Sequence, residues 1–161
     1  MGAQYQRGSR LARANQTALG TPRLADFPRR GTDTIRFADC DPQGHVNHAK
    51  FATYMETSRA AIIRDPTHPL LVEGATSVIV RLEVNYFREL HYPGTVEIGS
   101  AVSEIGRSSF VFSHALYRSD GQCAATGRVT MVLIDGATRR SRPLPPELIE
   151  RLKALQMMPR S

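Results

Sequence analysis

Apolar and polar residues alternate along four stretches in the second half of the chain, which is the period of half-buried β-strands. From Val78 to Tyr86, for example, every second residue is apolar. Turn signals such as Asp120-Gly121 separate the stretches, and short connections of this kind favour antiparallel neighbours. With one earlier alternating segment, the pattern predicts strands over residues 32–39, 78–87, 96–102, 110–117 and 123–134.

A helical period lies between the first two predicted strands. It predicts a helix from about His48 to Arg64, which Asp65-Pro66 terminates. A short amphipathic helix is expected after Pro145-Pro146, over residues 147–155. One strand, one long helix and four more strands predict an α+β fold, in which a curved antiparallel sheet covers a central helix. The apolar stripe of that helix consists of Phe51, Tyr54, Met55, Ser58, Ala61 and Ile62.

The charge of the chain is concentrated at its start. The 161 residues carry a formal net charge of +6. Six Arg and one Asp fall within residues 1–30, so this segment alone contributes +5. Its composition predicts a flexible basic arm, followed by one domain over residues 31–161. An organelle-targeting segment and a nucleic-acid-binding arm are the less favoured alternatives.

The composition is that of a soluble globular protein, with 41% hydrophobic and 22% charged residues. Cys40 and Cys123 form no disulfide framework or CxxC motif, so we expect free thiols and a cytoplasmic location. The longest aliphatic run, from Met131 to Ile134, is far too short to span a membrane. Glycine-rich nucleotide motifs and GxSxG are absent, so we expect no cofactor and no serine-hydrolase chemistry.

The stretch most suited to chemistry joins the first strand to the long helix. Pro42 and Gly44 predict a turn, and Asn47 is a suitable N-cap that makes His48 the first helical residue. The turn therefore holds the Asp41 carboxylate close to the unpaired N–H groups of a helix N-terminus, as an acyl-transfer site requires. On local sequence alone, a turn-forming Asp before proline is the commoner role.

Other residues of this region also have a chemical and a structural interpretation. Asp39 could share a face with Asp41 or hold the turn together. Cys40 is expected to pack rather than attack, and the rings of His45 and His48 to form hydrogen bonds rather than bind metal. On local sequence, Glu56 is expected at the helix surface. Arg107 fits a phosphate contact and a solvated turn equally well.

The segment from Arg36 to His48, followed by Tyr54, Glu56 and Arg59, resembles the signature of hotdog-fold acyl-CoA thioesterases, with the 4-hydroxybenzoyl-CoA thioesterase-like group as the nearest branch. The matching pattern is D-x-D-x-x-G-H-V-N followed by Y-x-E-x-x-R on a helix. The resemblance covers about residues 32–156. It implies a homodimer or homotetramer with active sites at subunit interfaces, an acyl-CoA substrate and no metal.

The resemblance also implies roles for individual residues. Asp41 matches the catalytic carboxylate, His48 supplies a backbone N–H to the thioester carbonyl, and Gly44 leaves room for the thioester. Substrate contacts are expected from Asn47, from Glu56 at the acyl group and from Arg107 at the CoA phosphates. The family often has a second Asn where this chain has His48, which changes the pocket wall.

These observations predict an enzyme that hydrolyses a thioester to a carboxylate and CoA. Asp41 would act as base or nucleophile. One alternative is a non-catalytic protein of the same fold that binds acyl-CoA or an acyl-carrier protein. Another is a hotdog hydratase or dehydratase, in which His45 or His48 would have to serve as the catalytic histidine.

Overall fold

The computed structural model describes residues 21–157. Five strands form one antiparallel sheet in the order β1-β3-β4-β5-β2, and two helices accompany it. The predicted α+β architecture is therefore confirmed. The elements are β1 (Arg29–Ile35), α1 (His48–Ile63), β2 (Ala75–Tyr86), β3 (Gly94–Ile105), β4 (Ser109–Tyr117), β5 (Cys123–Asp135) and α2 (Pro146–Lys153).

The first strand lies earlier than the alternation predicted. It begins at Arg29 and ends at Ile35, while Phe37–Asp39, predicted as strand, forms a single 3₁₀ turn. The strand pairs with β3 from Arg29 opposite Ser100 to Ile35 opposite Gly94. Backbone pairing does not require apolar side chains, and this strand lies at an edge of the sheet, so its arginines stay in contact with solvent.

The folded part of the chain includes residues that the prediction assigned to the basic arm. Phe27 is buried, and its ring lies so close to Gly99 that a Cβ there would be 2.3 Å away. The ion pair between Arg29 and Asp65 joins β1 to the segment after α1. Residues 1–20 of the predicted arm lie outside the described residues.

Helix α1 begins as its cap predicts. The side chain of Asn47 accepts a hydrogen bond from the N–H of Ala49 at 2.9 Å, and His48 is the first helical residue. The apolar stripe is only partly as expected, because Ala61 is exposed whereas Arg59 is 6% exposed. At 3.6 residues per turn Arg59 lies one turn after Met55, on the face that contacts the sheet.

The core lies between α1 and the sheet and divides along the helix. The first half of α1, with Phe51 and Tyr54, packs on β1, β3 and the ends of β4 and β5. The second half, with Ile62, packs with α2 and the other end of the sheet. Gly127 on β5 permits a close approach of α1, since a Cβ at this position would lie 2.3 Å from the sulfur of Met55.

Strand β2 is an edge strand that pairs only with β5. A bulge between Ile79 and Arg81 shifts its register. Ile79, rather than the predicted Val78, therefore shares a face with Leu82. Large apolar side chains are exposed along this edge, among them Val80 at 59% and Leu82 at 47%.

Two further expectations concern the absence of a membrane-spanning segment and the state of the two cysteines. Within residues 21–157 no helix combines the length and apolar character that crossing a membrane requires. Cys40 and Cys123 are both free thiols. Burial raises the pKa of Cys123 to about 11.

Candidate active site

A tight turn joins β1 to α1, as Pro42 and Gly44 predict. The N–H of Asp41 donates to the carbonyl of His45 at 3.0 Å, and the N–H of Gly44 donates back to the carbonyl of Asp41 at 3.0 Å. Gly44 has φ +86°, a conformation that side chains rarely adopt. We call residues 39–48 the carboxylate turn.

The Asp41 side chain is held in place but reaches solvent, with 17% of its surface exposed. Its Oδ1 accepts the N–H of Gln43 at 2.9 Å. Its Oδ2 lies 3.4 Å from Nδ1 of His45, whose Nε2 is 3.0 Å from Oε1 of Gln43. One carboxylate oxygen is therefore oriented by the backbone, while the other faces the His45 imidazole.

The peptide N–H of His48 is the first of α1. Among the described residues it has no acceptor, as expected for the first turn of a helix. The carbonyl of His48 accepts the O–H of Tyr86 at 3.0 Å, and the His48 ring lies edge-to-face on the Tyr86 ring. The exposed His48 ring is thus held against β2, and its N–H remains available at the positive end of the helix.

Asp39 has a structural role in this turn. It accepts hydrogen bonds from the O–H of Tyr54 at 2.8 Å and from the N–H of Arg36 at 2.9 Å. Burial alone would raise its pKa, but these hydrogen bonds and the charge of Lys50 outweigh burial and lower it. Asp39 therefore ties the carboxylate turn to α1 as a buried anion.

The neighbours with reactive side chains serve packing and hydrogen bonding. Cys40 is half-buried and packs against the core beside Val46. The ring of His91, a residue that the sequence analysis did not single out, has Nδ1 3.2 Å from the carbonyl of Gly44. It also lies edge-to-face with His45. No local pattern could have indicated His91, because it is 47 residues away from Gly44.

Within residues 21–157 there is no group of three or more His, Cys, Asp or Glu side chains placed to hold a metal ion. His45 and His48, the pair that suggests a metal site in the sequence, make separate contacts. His45 faces Asp41 and Gln43, whereas His48 packs on Tyr86.

The predicted site residues fall into two groups in a single chain. Asp41, Gly44, Asn47 and His48 lie together at the start of α1. Glu56 is exposed on α1, about 12 Å further along the helix axis from His48. Arg107 follows the end of β3. The other end of β3, at Gly94, pairs with Ile35, the last residue of β1 before the carboxylate turn. Twelve extended residues span about 36 Å, so Arg107 is remote from the Asp41 of its own chain.

A cavity of about 460 Å³ lies beside the second half of α1. Its walls come from α1, from the loop after it and from the start of β2. The lining combines aliphatic side chains with Glu56, Arg59 and Arg64, which add one negative and two positive charges. We call it the β2 cavity; its lining includes Leu70, Leu71, Val72, Ile79, Met131 and Leu133.

Beneath this part of α1 a chain of polar groups enters the core. Ser58 contacts Ser100 at 2.8 Å between hydroxyls, and Ser100 contacts Nδ1 of His114 at 2.8 Å. Nε2 of His114 is buried without a partner among the described residues. Burial, with a smaller effect of the Arg59 charge, lowers the pKa of His114 to about 3. His114 is therefore a neutral imidazole near pH 7.

Comparison with known proteins agrees with this fold. Residues 35–152 match the thioesterase-like superfamily. The acyl-CoA thioester hydrolase YbgC of Escherichia coli is 21% identical over 122 residues, which are 74% of this chain and 91% of YbgC. The putative acyl-CoA thioesterase YneP of Bacillus subtilis is 24% identical over 104 residues, 63% of this chain and 75% of YneP.

A solved structure supports the same assignment. A thioesterase of Thermus thermophilus, determined in complex with coenzyme A and Zn, is 34% identical with a TM-score of 0.70. The alignment covers 83% of this chain and 98% of that protein. The chain therefore belongs to the thioesterase-like superfamily, and the predicted hotdog thioesterase class is confirmed.

Proposed function

We propose that the protein hydrolyses an acyl-CoA thioester to a carboxylate and CoA, with Asp41 as base or nucleophile and the His48 N–H as oxyanion donor. One observation carries this proposal. An oriented, solvent-reaching carboxylate lies in the same short turn as the first free N–H of α1. The names of YbgC and YneP, both acyl-CoA thioesterases, support the substrate class.

The proposed reaction uses the two groups in one step. The thioester carbonyl oxygen accepts the hydrogen bond of the His48 N–H, where the helix dipole favours the negative charge that develops. Asp41 removes a proton from water as it attacks the carbonyl carbon, or attacks that carbon directly to form an anhydride that water then cleaves. The C–S bond breaks, and CoA leaves as a thiolate that takes up a proton. Beside Gly44, no atom lies within 4 Å of where a Cβ would be, so the substrate has room to approach.

The proposed site is completed by a second copy of the chain. Strand β2 is antiparallel to α1, because Tyr86 at its end contacts His48 and its start lines the β2 cavity beside Arg59. Pairing two β2 edges antiparallel about a twofold axis brings the carboxylate turn of one copy beside the β2 cavity of the other. The exposed apolar residues Ile79, Val80 and Leu82 would be covered in this homodimer. A homotetramer would consist of two such dimers.

The same pairing accounts for the remote predicted residues. Glu56 lines the β2 cavity. Arg107 lies near the start of β2, because Leu133 of β5 bonds to Ser108 while Ala75 pairs with Asp135. In the dimer both residues approach the Asp41 of the other copy, Glu56 at the acyl group and Arg107 at the CoA phosphates.

The proposed location is the cytoplasm. Both cysteines are free, and a reducing compartment keeps them so. A thiol titration of freshly purified protein under denaturing conditions should find two reactive thiols per chain. One or none would argue against this location.

The proposal is tested by Asp41→Asn, assayed for thiol release with a panel of acyl-CoAs. We expect a fall in kcat of roughly 10²–10⁴-fold, because the amide neither accepts a proton nor attacks a carbonyl. Asp120→Asn is the matched control. Asp120 also accepts the N–H two residues on, at 3.0 Å, but lies between β4 and β5.

The control should keep full activity, and both variants should keep the melting temperature and oligomeric state of the wild type. Undiminished turnover by folded Asp41→Asn would refute the role of Asp41. Tight binding of CoA esters by the wild type without thiol release would indicate the non-catalytic alternative.

A further inference from the structure

The Arg59 side chain is mostly buried and has no hydrogen bond or ion pair among the described residues. The residue is 6% exposed and lines the β2 cavity. Within residues 21–157 no carboxylate oxygen lies within 4.0 Å of its guanidinium. A guanidinium keeps its charge in proteins, and a charge that is largely removed from water gains from a partner. The guanidinium is therefore available to a group that enters the β2 cavity.

The charged and titratable neighbours do not supply the missing partner. Glu56, one turn earlier on α1, is exposed. Its charge raises the pKa of Arg59, but burial is the larger effect and lowers it overall. His114 on β4 is neutral near pH 7 and gains no favourable interaction from the cation. Arg64, also at the cavity, carries the same charge as Arg59.

The walls around Arg59 define what could pair with it. Apart from the charged Glu56 and Arg64, which are both exposed, the cavity is lined by aliphatic side chains and by Thr76 and Ser77. A ligand with a hydrocarbon segment and an anionic group matches both the aliphatic side chains and Arg59. A carboxylate is a group that a guanidinium binds through two parallel hydrogen bonds.

We propose that the β2 cavity takes an acyl chain that ends in a carboxylate, and that Arg59 binds this carboxylate. The proposal rests on the proposed function, because it identifies the substrate class of that thioesterase. The preferred substrates are then CoA monoesters of dicarboxylic acids. Arg59 is a specificity-determining residue and takes no part in the hydrolysis itself.

The test compares acyl-CoAs of equal chain length with and without the terminal carboxylate. The pairs are glutaryl- and valeryl-CoA, adipoyl- and hexanoyl-CoA, and suberoyl- and octanoyl-CoA. In the wild type, kcat/KM should favour the carboxylate member of at least one pair by about tenfold or more. In Arg59→Met this preference should disappear or reverse, while the plain acyl member keeps its kcat/KM within about threefold.

Two further variants separate Arg59 from general charge effects. Arg64→Met removes the same charge from an exposed position at the same cavity, and should change the ratio by less than about threefold. Glu56→Gln removes the negative charge at the rim, and should increase the preference for the carboxylate member. Met is of similar length to Arg and tolerates burial, so Arg59→Met should fold, which its melting temperature checks.

Two results would overturn the proposal. One is a ratio that is the same in wild type and Arg59→Met for all three pairs. The other is a loss of the dimer in Arg59→Met, measured by light scattering, together with an equal loss of turnover for both members of every pair. That result would assign Arg59 to an acceptor on the second copy.

Failure of the proposed function has a different signature, in which the wild type hydrolyses none of the six thioesters. Calorimetric measurement of the binding of the same pairs then tests whether Arg59 binds the terminal carboxylate. Tighter binding of a carboxylate member that Arg59→Met abolishes would support the assignment. Equal binding or no binding would overturn it.

Discussion

The two halves of α1 differ in how their polar neighbours are satisfied. At the start of the helix Asp39, Asp41 and Asn47 each accept a backbone N–H. Beside the second half, Nε2 of His114 is buried without a partner among the described residues. The mostly buried Arg59 side chain has no hydrogen bond or ion pair among them either.

This difference indicates that the two halves of α1 have different roles. Hydrogen bonds at the carboxylate turn hold the proposed reacting groups in a geometry that needs no ligand to form. A largely buried cation without a partner is stabilised when a ligand of opposite charge pairs with it. The first half therefore suits the proposed hydrolysis, and the second half suits binding of the acyl group.

The largest expected effect is on activity, when a defect in the carboxylate turn and a defect in the β2 cavity are placed on different subunits of one dimer. Asp41→Asn disables the carboxylate turn, and Ala60→Trp fills the β2 cavity, which Ala60 lines. Each homodimer should be nearly inactive. Because each proposed site combines the turn of one copy with the cavity of the other, a mixed dimer purified through two tags contains one intact site. It should recover about half of the wild-type activity.

Sites contained within one chain predict a different result. Every site of the mixed dimer would then carry one of the two defects, and it would be as inactive as the homodimers. A fully active Ala60→Trp homodimer would instead show that the β2 cavity does not receive the acyl group.

A second prediction compares the two carboxylates of the turn. Asp39→Ala should lower the free energy of unfolding by about 2–4 kcal/mol, because Tyr54 loses a charged acceptor and its buried O–H is left unpaired. Asp41→Ala should cost less than about 1 kcal/mol, since Asp41 is nearer solvent and its loss frees the exposed N–H of Gln43 and removes only a 3.4 Å contact with His45. Urea denaturation of both variants measures the difference; equal losses would contradict the structural role of Asp39.

The smallest expected effect is on how the free energy of unfolding depends on pH. It concerns His114, which lies on β4 beneath the second half of α1. The pKa of His114 is lowered to about 3 in the folded chain, against an ordinary value of 6.5. Between these values the unfolded chain binds one more proton than the folded chain, so stability present above pH 6.5 is lost as the pH falls toward 3. The slope approaches about 1.4 kcal/mol per pH unit.

His114→Gln should remove this slope, since Gln does not titrate. Urea midpoints at about pH 7, 6 and 5 measure it, in a range where most carboxylates stay ionised. Parallel declines in wild type and variant would show that His114 does not titrate in this way.

Features set by local chemistry could be predicted from the sequence. The start of α1 follows from the Asn47 cap, the turn follows from Pro42 and Gly44, and strands β2 to β5 follow from alternation. The missed features depend on long-range contacts. The bond between Asp39 and Tyr54 joins residues 15 apart, and the bulge at Ile79 arises only when β2 pairs with β5. The burial of Arg59 could not be predicted from the pattern of residue types, because such a pattern places charged residues at the surface.

The sequence by itself therefore determined the class of fold, the position of the carboxylate turn and the resemblance to thioesterases. These depend on capping, turn geometry and periodicity, which act over a few residues. Only the tertiary structure decided that Asp39 is an anchor, that Arg59 is buried without a partner among the described residues, and that Glu56 and Arg107 are remote from Asp41 within one chain. Burial, pairing and distance are properties of the packed chain, because they depend on which segments meet after the sheet has closed over α1.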